Sequence, residues 1–141
     1  MNNLKSINQT KLFGLDNFIK ELIQLDSNNN LPNKILLSGL KGLGKSTLAF
    51  HFINYILSKD EDYKYDKNNF EINSNNHSFK TVLNGSNPNL LKIEIKQDKK
   101  NIDIDQIREL ISSLNKFSLN SKPRFILINN IEFLNKNAVN A

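Results

Sequence analysis

The sequence contains no cysteine, and its 141 residues include only five glycines, three prolines and two arginines. Without cysteine the chain has no disulfide scaffold, no Cys-ligated zinc site and no thiol nucleophile. No apolar run approaches the roughly 20 residues that a transmembrane helix requires. The N-terminal residues Met1–Ser6 also lack the apolar stretch of a secretory signal. These absences predict a cytoplasmic protein without a membrane segment.

The composition that remains is that of a globular protein. With 38% hydrophobic and 23% charged residues in 16.2 kDa, the chain is long enough for one domain with a sizeable core. The net charge of +5 favours a polyanionic partner. The 25 asparagines indicate a compositional bias that weakens this inference. We expect a single, partial domain over residues 1–141, truncated at its C-terminus, with a polar insertion at about residues 59–80.

Hydrophobic periodicity predicts alternating helices and strands. Apolar residues at helical spacing indicate amphipathic helices, and short apolar runs next to turn residues indicate strands of a mainly parallel sheet. The segment from Lys59 to Asn76 has neither period and is predicted to be a surface loop or partly disordered. The predicted elements are a helix over residues 15–25, a buried strand over 34–38, a helix over 48–57, a strand over 91–95, a helix from Asp103 to Leu114, a buried strand over 124–128 and the start of a helix at 135–141.

Such an alternation predicts an α/β fold of the three-layer P-loop NTPase type. The residues from Gly39 to Ser46 read G-L-K-G-L-G-K-S and satisfy the pattern G-x-x-x-x-G-K-[ST], between a predicted strand and a predicted helix. Glycines allow the backbone N–H groups to surround a phosphate, Lys45 reaches the β- and γ-phosphates, and Ser46 offers a hydroxyl to Mg²⁺. The pattern predicts binding of ATP and Mg²⁺ by Gly39, Gly42, Leu43, Gly44, Lys45, Ser46 and Thr47.

The acidic partner that a P-loop ATPase needs is absent from its expected position. A carboxylate should follow the strand over 124–128, where it would hold Mg²⁺, but Asn129 and Asn130 stand there instead. An amide carries no charge and accepts no proton, so we expect weak or no hydrolysis and assign no catalytic residue. Asn129 is a degenerate metal position. Asp103 and Asp105 are possible substitutes, although helix capping explains Asp103 without a metal.

The remaining polar candidates have simpler explanations. His51 lies within the helix after the P-loop and is expected to be a core residue, and His77 in the polar insertion is expected to be solvated. A cluster of Lys96, Lys99 and Lys100 could contact nucleic acid, but a solvated loop is the more economical interpretation.

Four segments in a fixed order resemble the N-terminal AAA+ domain of bacterial clamp-loader subunits of DNA polymerase III. They are residues 31–49 around the P-loop, 85–91 with the sequence G-S-N-P-N-L-L, 104–110 with I-D-Q-I-R-E-L, and 133–141 with F-L-N-K-N-A-V-N-A. The resemblance implies a role in DNA replication. It also implies partnership with other clamp-loader subunits and, through that complex, with a sliding clamp and primed DNA.

Within this family the chain is most similar to the delta-prime, or stator, type. The ATP-hydrolysing subunits keep an Asp-Glu pair where this chain has Asn129 and Asn130, and they carry a four-cysteine zinc module that this chain lacks. The resemblance therefore implies a subunit that binds ATP with little or no turnover. The alternatives are a hydrolysing subunit of the gamma/tau type, a P-loop nucleotide kinase, and an interaction module with an empty P-loop. A kinase needs several arginines around the transferred phosphate, and the chain has two.

Overall fold

The computed structural model describes residues 5–116 and 120–141. The first four residues of the segment Met1–Ser6, for which we predicted no secretory signal, lie outside the described residues. The chain divides into two compact units, Met1–Asn87 and Pro88–Ala141. The first unit contains a short 3₁₀ helix (Ser6–Asn8), α1 (Asp16–Ser27), α2 (Lys45–Leu57) and α3 (His77–Leu83). The second contains β1 (Leu90–Ile93), α4 (Ile104–Leu114), β2 (Phe125–Ile128), a 3₁₀ helix (Ile131–Phe133) and α5 (Lys136–Val139).

Helix α2 forms the centre of the first unit. It is apolar on nearly all sides, as is typical of a helix with neighbours around its whole circumference. The 3₁₀ helix, α1 and α3 all contact it. Its buried residues are Thr47, Leu48, Phe50, His51, Phe52, Ile53, Asn54, Tyr55, Ile56 and Leu57.

Helix α1 confirms the amphipathic pattern predicted for residues 15–25. Ile19 and Leu22 are buried, whereas the neighbouring apolar residue Phe18 is 57% exposed. A polar contact fixes the end of α1 against α2. The Asp26 carboxylate accepts hydrogen bonds from the Tyr55 hydroxyl at 2.9 Å and from the Lys59 ammonium at 2.6 Å.

The polar segment between Lys59 and Asn76 contains no helix or strand and is mostly exposed, as predicted for a surface loop, but some of its apolar side chains are buried. Tyr65, Phe70 and Ile72 are buried in the first unit. The Phe70 carbonyl accepts from the Leu12 amide at 3.1 Å, and the Ile72 amide donates to the Thr10 carbonyl at 2.7 Å. Three apolar side chains therefore attach a mostly polar segment to the core, and α3 follows it from His77.

The second unit is a β-α-β arrangement that confirms the predicted parallel α/β class. β1 pairs with β2 in parallel, with Leu90 opposite Phe125 and Ile93 opposite Ile128. α4 starts with the predicted capping box, in which the Asp103 side chain accepts from the Gln106 amide and the Gln106 side chain accepts from the Asp103 amide. The core consists of Ile93, Ile102, Ile107 and Ala138, with Ile95, Leu110, Ile128 and Leu134 packed against it.

Two predictions about strands require correction. Residues 34–38 form no strand, and Ile35 and Leu36 are 43% and 74% exposed. In β2, which we predicted to be buried on both faces, Ile126 is 43% exposed. A strand is stabilised by its ladder and by cover on its faces, and an apolar run does not specify either neighbour. Within the described residues, β1 and β2 are the paired strands.

No helix in the described part of the chain combines the length and the apolar character required to cross a bilayer.

Arg124 closes the C-terminal end of α4, and we expect its removal to destabilise the second unit. Its guanidinium donates to the carbonyls of Leu114 and Lys116 at 3.0 Å and of Ser113 at 2.8 Å. Helix C-termini leave carbonyls without intrahelical partners, and a cation there also interacts favourably with the helix dipole. Arg124→Ala should lower the free energy of unfolding by about 1–3 kcal/mol in chemical denaturation.

Arg108→Ala is the matched control, because Arg108 forms an exposed ion pair with Asp105 at 3.5 Å. Exposed pairs of this kind contribute little. Equal destabilisation by the two substitutions would contradict the capping role of Arg124.

Candidate functional site

The predicted phosphate loop has a backbone that only glycine adopts readily. Gly39, Gly42 and Gly44 have φ values of +148°, +88° and +80°. These values lie in the region that side chains with a Cβ rarely occupy. Gly44 is the last residue before α2 and forms its N-cap in a left-handed conformation. The glycine spacing of the motif therefore corresponds to three positions of positive φ in the segment that leads into the helix.

Two of these glycines also lie close to neighbouring side chains. A Cβ on Gly39 would be 3.2 Å from Leu43 Cδ1, and a Cβ on Gly44 would be 3.2 Å from Leu15 Cδ1. A Cβ on Gly42 would meet no described atom within 4 Å. At Gly42 the open side of the loop thus has room for a ligand close to the backbone.

The Lys45 ammonium lies over the loop that precedes it. It donates to the carbonyls of Gly39 and Leu40, both at 2.8 Å. An ammonium has three donors, so these two bonds position the charge and leave capacity for one further acceptor. A cation held in this way by backbone carbonyls favours an anion at the same loop.

The start of α2 provides further positive potential. The first intrahelical bond at this end runs from the Leu48 amide to the Gly44 carbonyl at 2.9 Å, so the amides of Lys45, Ser46 and Thr47 precede it. The first turn contains no acidic residue. Thr47 has a buried side chain, so its contribution to a ligand would come from its amide. Amides at the first turn of a helix and the helix dipole are suited to phosphate.

Asn129 and Asn130 follow β2 in the second unit, and both have backbone roles. The Asn129 amide donates to the Ile93 carbonyl at 2.9 Å and so extends the pairing of β2 with β1. Asn130 has φ +57° and begins the turn into the 3₁₀ helix Ile131–Phe133. Asparagine tolerates this conformation better than most residues. The positive φ at this turn explains why an asparagine stands at position 130, which the sequence pattern did not reveal.

The alternative acidic residues are engaged in helix formation. Asp103 caps α4 and accepts a hydrogen bond from the Lys99 ammonium. The lysine contact and the Gln106 amide lower the pKa of the Asp103 carboxyl. Asp105 pairs with Arg108 on an exposed face. In the described ranges, no three histidine, aspartate or glutamate side chains gather as metal ligands would.

His51 is a core residue, as predicted. It is fully buried, with Nε2 at 2.9 Å from the Gln9 carbonyl and Nδ1 at 3.0 Å from the Tyr65 hydroxyl. The carbonyl can only accept, so Nε2 carries the proton and Nδ1 accepts from Tyr65. Burial lowers the pKa of His51 from its usual 6.5. His77 is exposed, also as predicted.

Sequence reasoning missed Tyr65 as the partner of His51, because it lies in the polar segment that we expected to be a loop. Tyr63 stands two positions before Tyr65 in the same run of charged residues and is 52% exposed, so no local signal identified Tyr65 as the buried one.

A family model described as "DNA polymerase III, delta subunit" matches residues 14–141, which include the glycine loop and the whole second unit. The chain belongs to this family. Membership assigns it to DNA replication with a role in clamp loading, and it implies association with other subunits of DNA polymerase III. No curated protein matches the sequence.

Proposed function

We propose that this chain is a clamp-loader subunit of the delta-prime, or stator, type, which binds ATP with Mg²⁺ and hydrolyses it weakly or not at all. One observation carries the proposal: a complete glycine loop with a positioned lysine occurs in a chain with neutral amides after β2. The family membership supports the setting in clamp loading. The work of such a subunit is to bind and to hold partners, with other subunits hydrolysing ATP.

The loop residues fit a nucleotide phosphate. The open side of Gly42 and the amides from Gly44 to Thr47 would surround the phosphate oxygens, and Lys45 would neutralise part of their charge. The Ser46 hydroxyl would contact Mg²⁺, which neutralises the β- and γ-phosphates when bound. At position 129, where the sequence pattern expects a carboxylate, this chain offers an amide oxygen, which attracts Mg²⁺ less than a carboxylate does.

Weak turnover of ATP is expected from the two asparagines that follow β2. Hydrolysis requires a group that orients or deprotonates the attacking water, and the side chains of Asn129 and Asn130 accept no proton. Glu132 is the first acid after β2, and it lies in the 3₁₀ helix rather than at the strand end.

We expect the isolated chain to release negligible phosphate from ATP at steady state, measured with radiolabelled ATP. Asn129→Asp restores the acid that the sequence pattern expects at this position and should increase the dependence of ATP binding on Mg²⁺. Asn137→Asp, which adds the same charge at an exposed position of α5, is the control and should leave this dependence unchanged. Robust hydrolysis by the wild-type chain would contradict the proposal.

An interaction module with an empty loop is the second candidate. It is favoured by the two hydrogen bonds from Lys45 to the Gly39 and Leu40 carbonyls, which stabilise the lysine without phosphate. Both candidates predict that the full-length product co-purifies with other clamp-loader subunits in a pull-down. They differ in ATP binding, which only the first predicts. Failure to bind those subunits under any nucleotide condition would count against both.

A further inference from the structure

The turn after α3 contains an Asn-Gly pair, Asn84–Gly85, which occurs once among the 25 asparagines of the chain. Both residues are exposed, and Asn84 is the C-cap of α3. An asparagine side chain can be attacked by the backbone nitrogen of the next residue. A Cβ on that next residue hinders the attack, so glycine permits it best. This chemistry makes Asn84–Gly85 a candidate for spontaneous covalent change.

The local geometry favours attack on the Asn84 carboxamide. Its Oδ1 accepts two hydrogen bonds from Ser86, one from the amide at 3.0 Å and one from the hydroxyl at 2.6 Å. Donors on a carbonyl oxygen make its carbon more electrophilic and stabilise the negative charge that develops during attack. Gly85 has φ +76°, and a Cβ at this position would have no described atom within 4 Å. The approach to Asn84 is therefore sterically open.

Two similar turns in the chain lack the following glycine. Asn73 Oδ1 accepts from the Asn75 amide at 2.9 Å, and Asn120 Oδ1 accepts from the Lys122 amide at 3.0 Å and from the Asn89 side chain at 2.9 Å. Serine follows the asparagine in both cases. These turns share the side-chain-to-amide bond of Asn84 but have a Cβ on the attacking residue. They serve as internal comparisons.

We propose that Asn84–Gly85 is a deamidation site at which the turn itself promotes formation of a succinimide. Hydroxide takes the proton of the Gly85 amide, and the nitrogen forms a bond to Asn84 Cγ. The Cγ–Nδ2 bond breaks, and Nδ2 leaves as ammonia after taking a proton from water. Water then opens the ring at Cγ to give aspartate, or at the main-chain carbonyl to give isoaspartate.

Opening of the last turn of α3 controls access to this reaction. The Gly85 amide donates to the Val82 carbonyl at 3.2 Å, and the Ser86 amide also donates to the Thr81 carbonyl at 2.9 Å. The first of these bonds must break before Gly85 can react. It is long, and it lies at the exposed end of a seven-residue helix, where local opening requires little free energy.

The product weakens the turn that formed it. Either product adds a negative charge at the C-terminal end of α3, where the helix dipole disfavours one. Isoaspartate also inserts a methylene into the backbone between residues 84 and 85, which displaces the Gly85 and Ser86 amides from their carbonyl acceptors. Because α3 contacts α2 and the first 3₁₀ helix, we expect the modified chain to lose cooperativity in the first unit. This site is independent of the phosphate loop and of its proposed function.

The test is incubation of the folded full chain at neutral and mildly alkaline pH in water labelled with heavy oxygen, followed by peptide mass spectrometry. The label enters the new carboxyl group on hydrolysis, and isoaspartate in the labelled peptide identifies the succinimide as its source, because direct hydrolysis of the side-chain amide gives aspartate alone. We expect label at Asn84 to accumulate many times faster than at Asn73 or Asn120, and in proportion to hydroxide concentration. An isoaspartate methyltransferase should methylate the aged peptide.

Two variants separate the parts of the proposal. Ser86→Ala removes the hydroxyl donor but keeps the Asn-Gly pair, and it should slow labelling severalfold in the folded chain. In an unfolded peptide spanning residues 80–90 the same substitution should have a much smaller effect. Asn84→Gln should abolish labelling at this position. Labelling of Asn84 no faster than of Asn73 would overturn the site, and an unchanged rate in folded Ser86→Ala would overturn assistance by the turn.

Discussion

Replacing His51 by alanine is expected to lower the free energy of unfolding of the first unit by about 3–5 kcal/mol. The imidazole is fully buried, and both of its nitrogens are hydrogen-bonded. Alanine would leave a cavity and would deprive the Tyr65 hydroxyl and the Gln9 carbonyl of their partner. These groups join α2 to the N-terminal segment and to the segment that contains Tyr65. Denaturation in urea, followed by circular dichroism, measures the loss.

His77→Ala is the matched control, because His77 is the only other histidine and is exposed. It should change stability by less than about 0.5 kcal/mol. Tyr65→Phe removes one hydrogen bond without a cavity and should cost about 1 kcal/mol. A His51→Ala variant as stable as His77→Ala would show that the buried network does not hold the unit together.

The same histidine predicts a pH dependence of stability. Burial lowers the pKa of His51 below its usual 6.5, so the unfolded chain binds a proton more readily than the folded chain. Stability from this group is therefore fully present above pH 6.5 and is lost as the pH falls from there towards the lowered folded pKa. His51→Gln should flatten the dependence in this range. A wild-type stability that does not fall below pH 6.5 would contradict the buried, neutral imidazole.

Removal of the Lys45 ammonium is expected to abolish stabilisation by ATP. For a ligand at a hundredfold excess over its Kd, binding to the folded state adds about 2.7 kcal/mol, which appears as a higher Tm. Lys45 is the cation held at the glycine loop, and Lys45→Ala should leave the Tm unchanged by ATP and Mg²⁺. Scanning calorimetry with and without nucleotide measures this difference.

Lys41→Ala provides the control for charge. Lys41 lies in the same loop and is exposed. This variant should keep most of the rise in Tm that ATP produces in the wild type. Equal loss of the rise in both variants would indicate general attraction of an anion to a basic surface instead of a specific role for Lys45.

Local chemistry made several elements predictable from sequence. The capping box at Asp103 and Gln106 fixes the start of α4 through contacts between residues three positions apart. The apolar runs around Ile93 and Ile128 indicated the two strands that pair in parallel. The three glycines of the loop have positive φ values, which glycine adopts most readily. For the capping box and the glycines neighbouring residues carry the physical cause, whereas each strand also needs the other strand's ladder.

The failures concern contacts between residues distant in sequence. Residues 34–38 have the composition of a buried strand, but a ladder and cover must come from elsewhere in the chain. The burial of Tyr65 and Phe70 depends on α2 and on residues 10–12, which no local pattern within a polar segment identifies. The backbone role of Asn130 is local, but its position after β2 suggested a lost carboxylate rather than a turn with positive φ.

The most direct test of the phosphate loop is isothermal titration of the full chain with ATP and Mg²⁺, in parallel with Lys45→Ala. We predict a single binding site per wild-type chain, no measurable binding to Lys45→Ala, and no release of phosphate during the titration. Absence of binding to the wild-type chain at millimolar ATP would contradict the account.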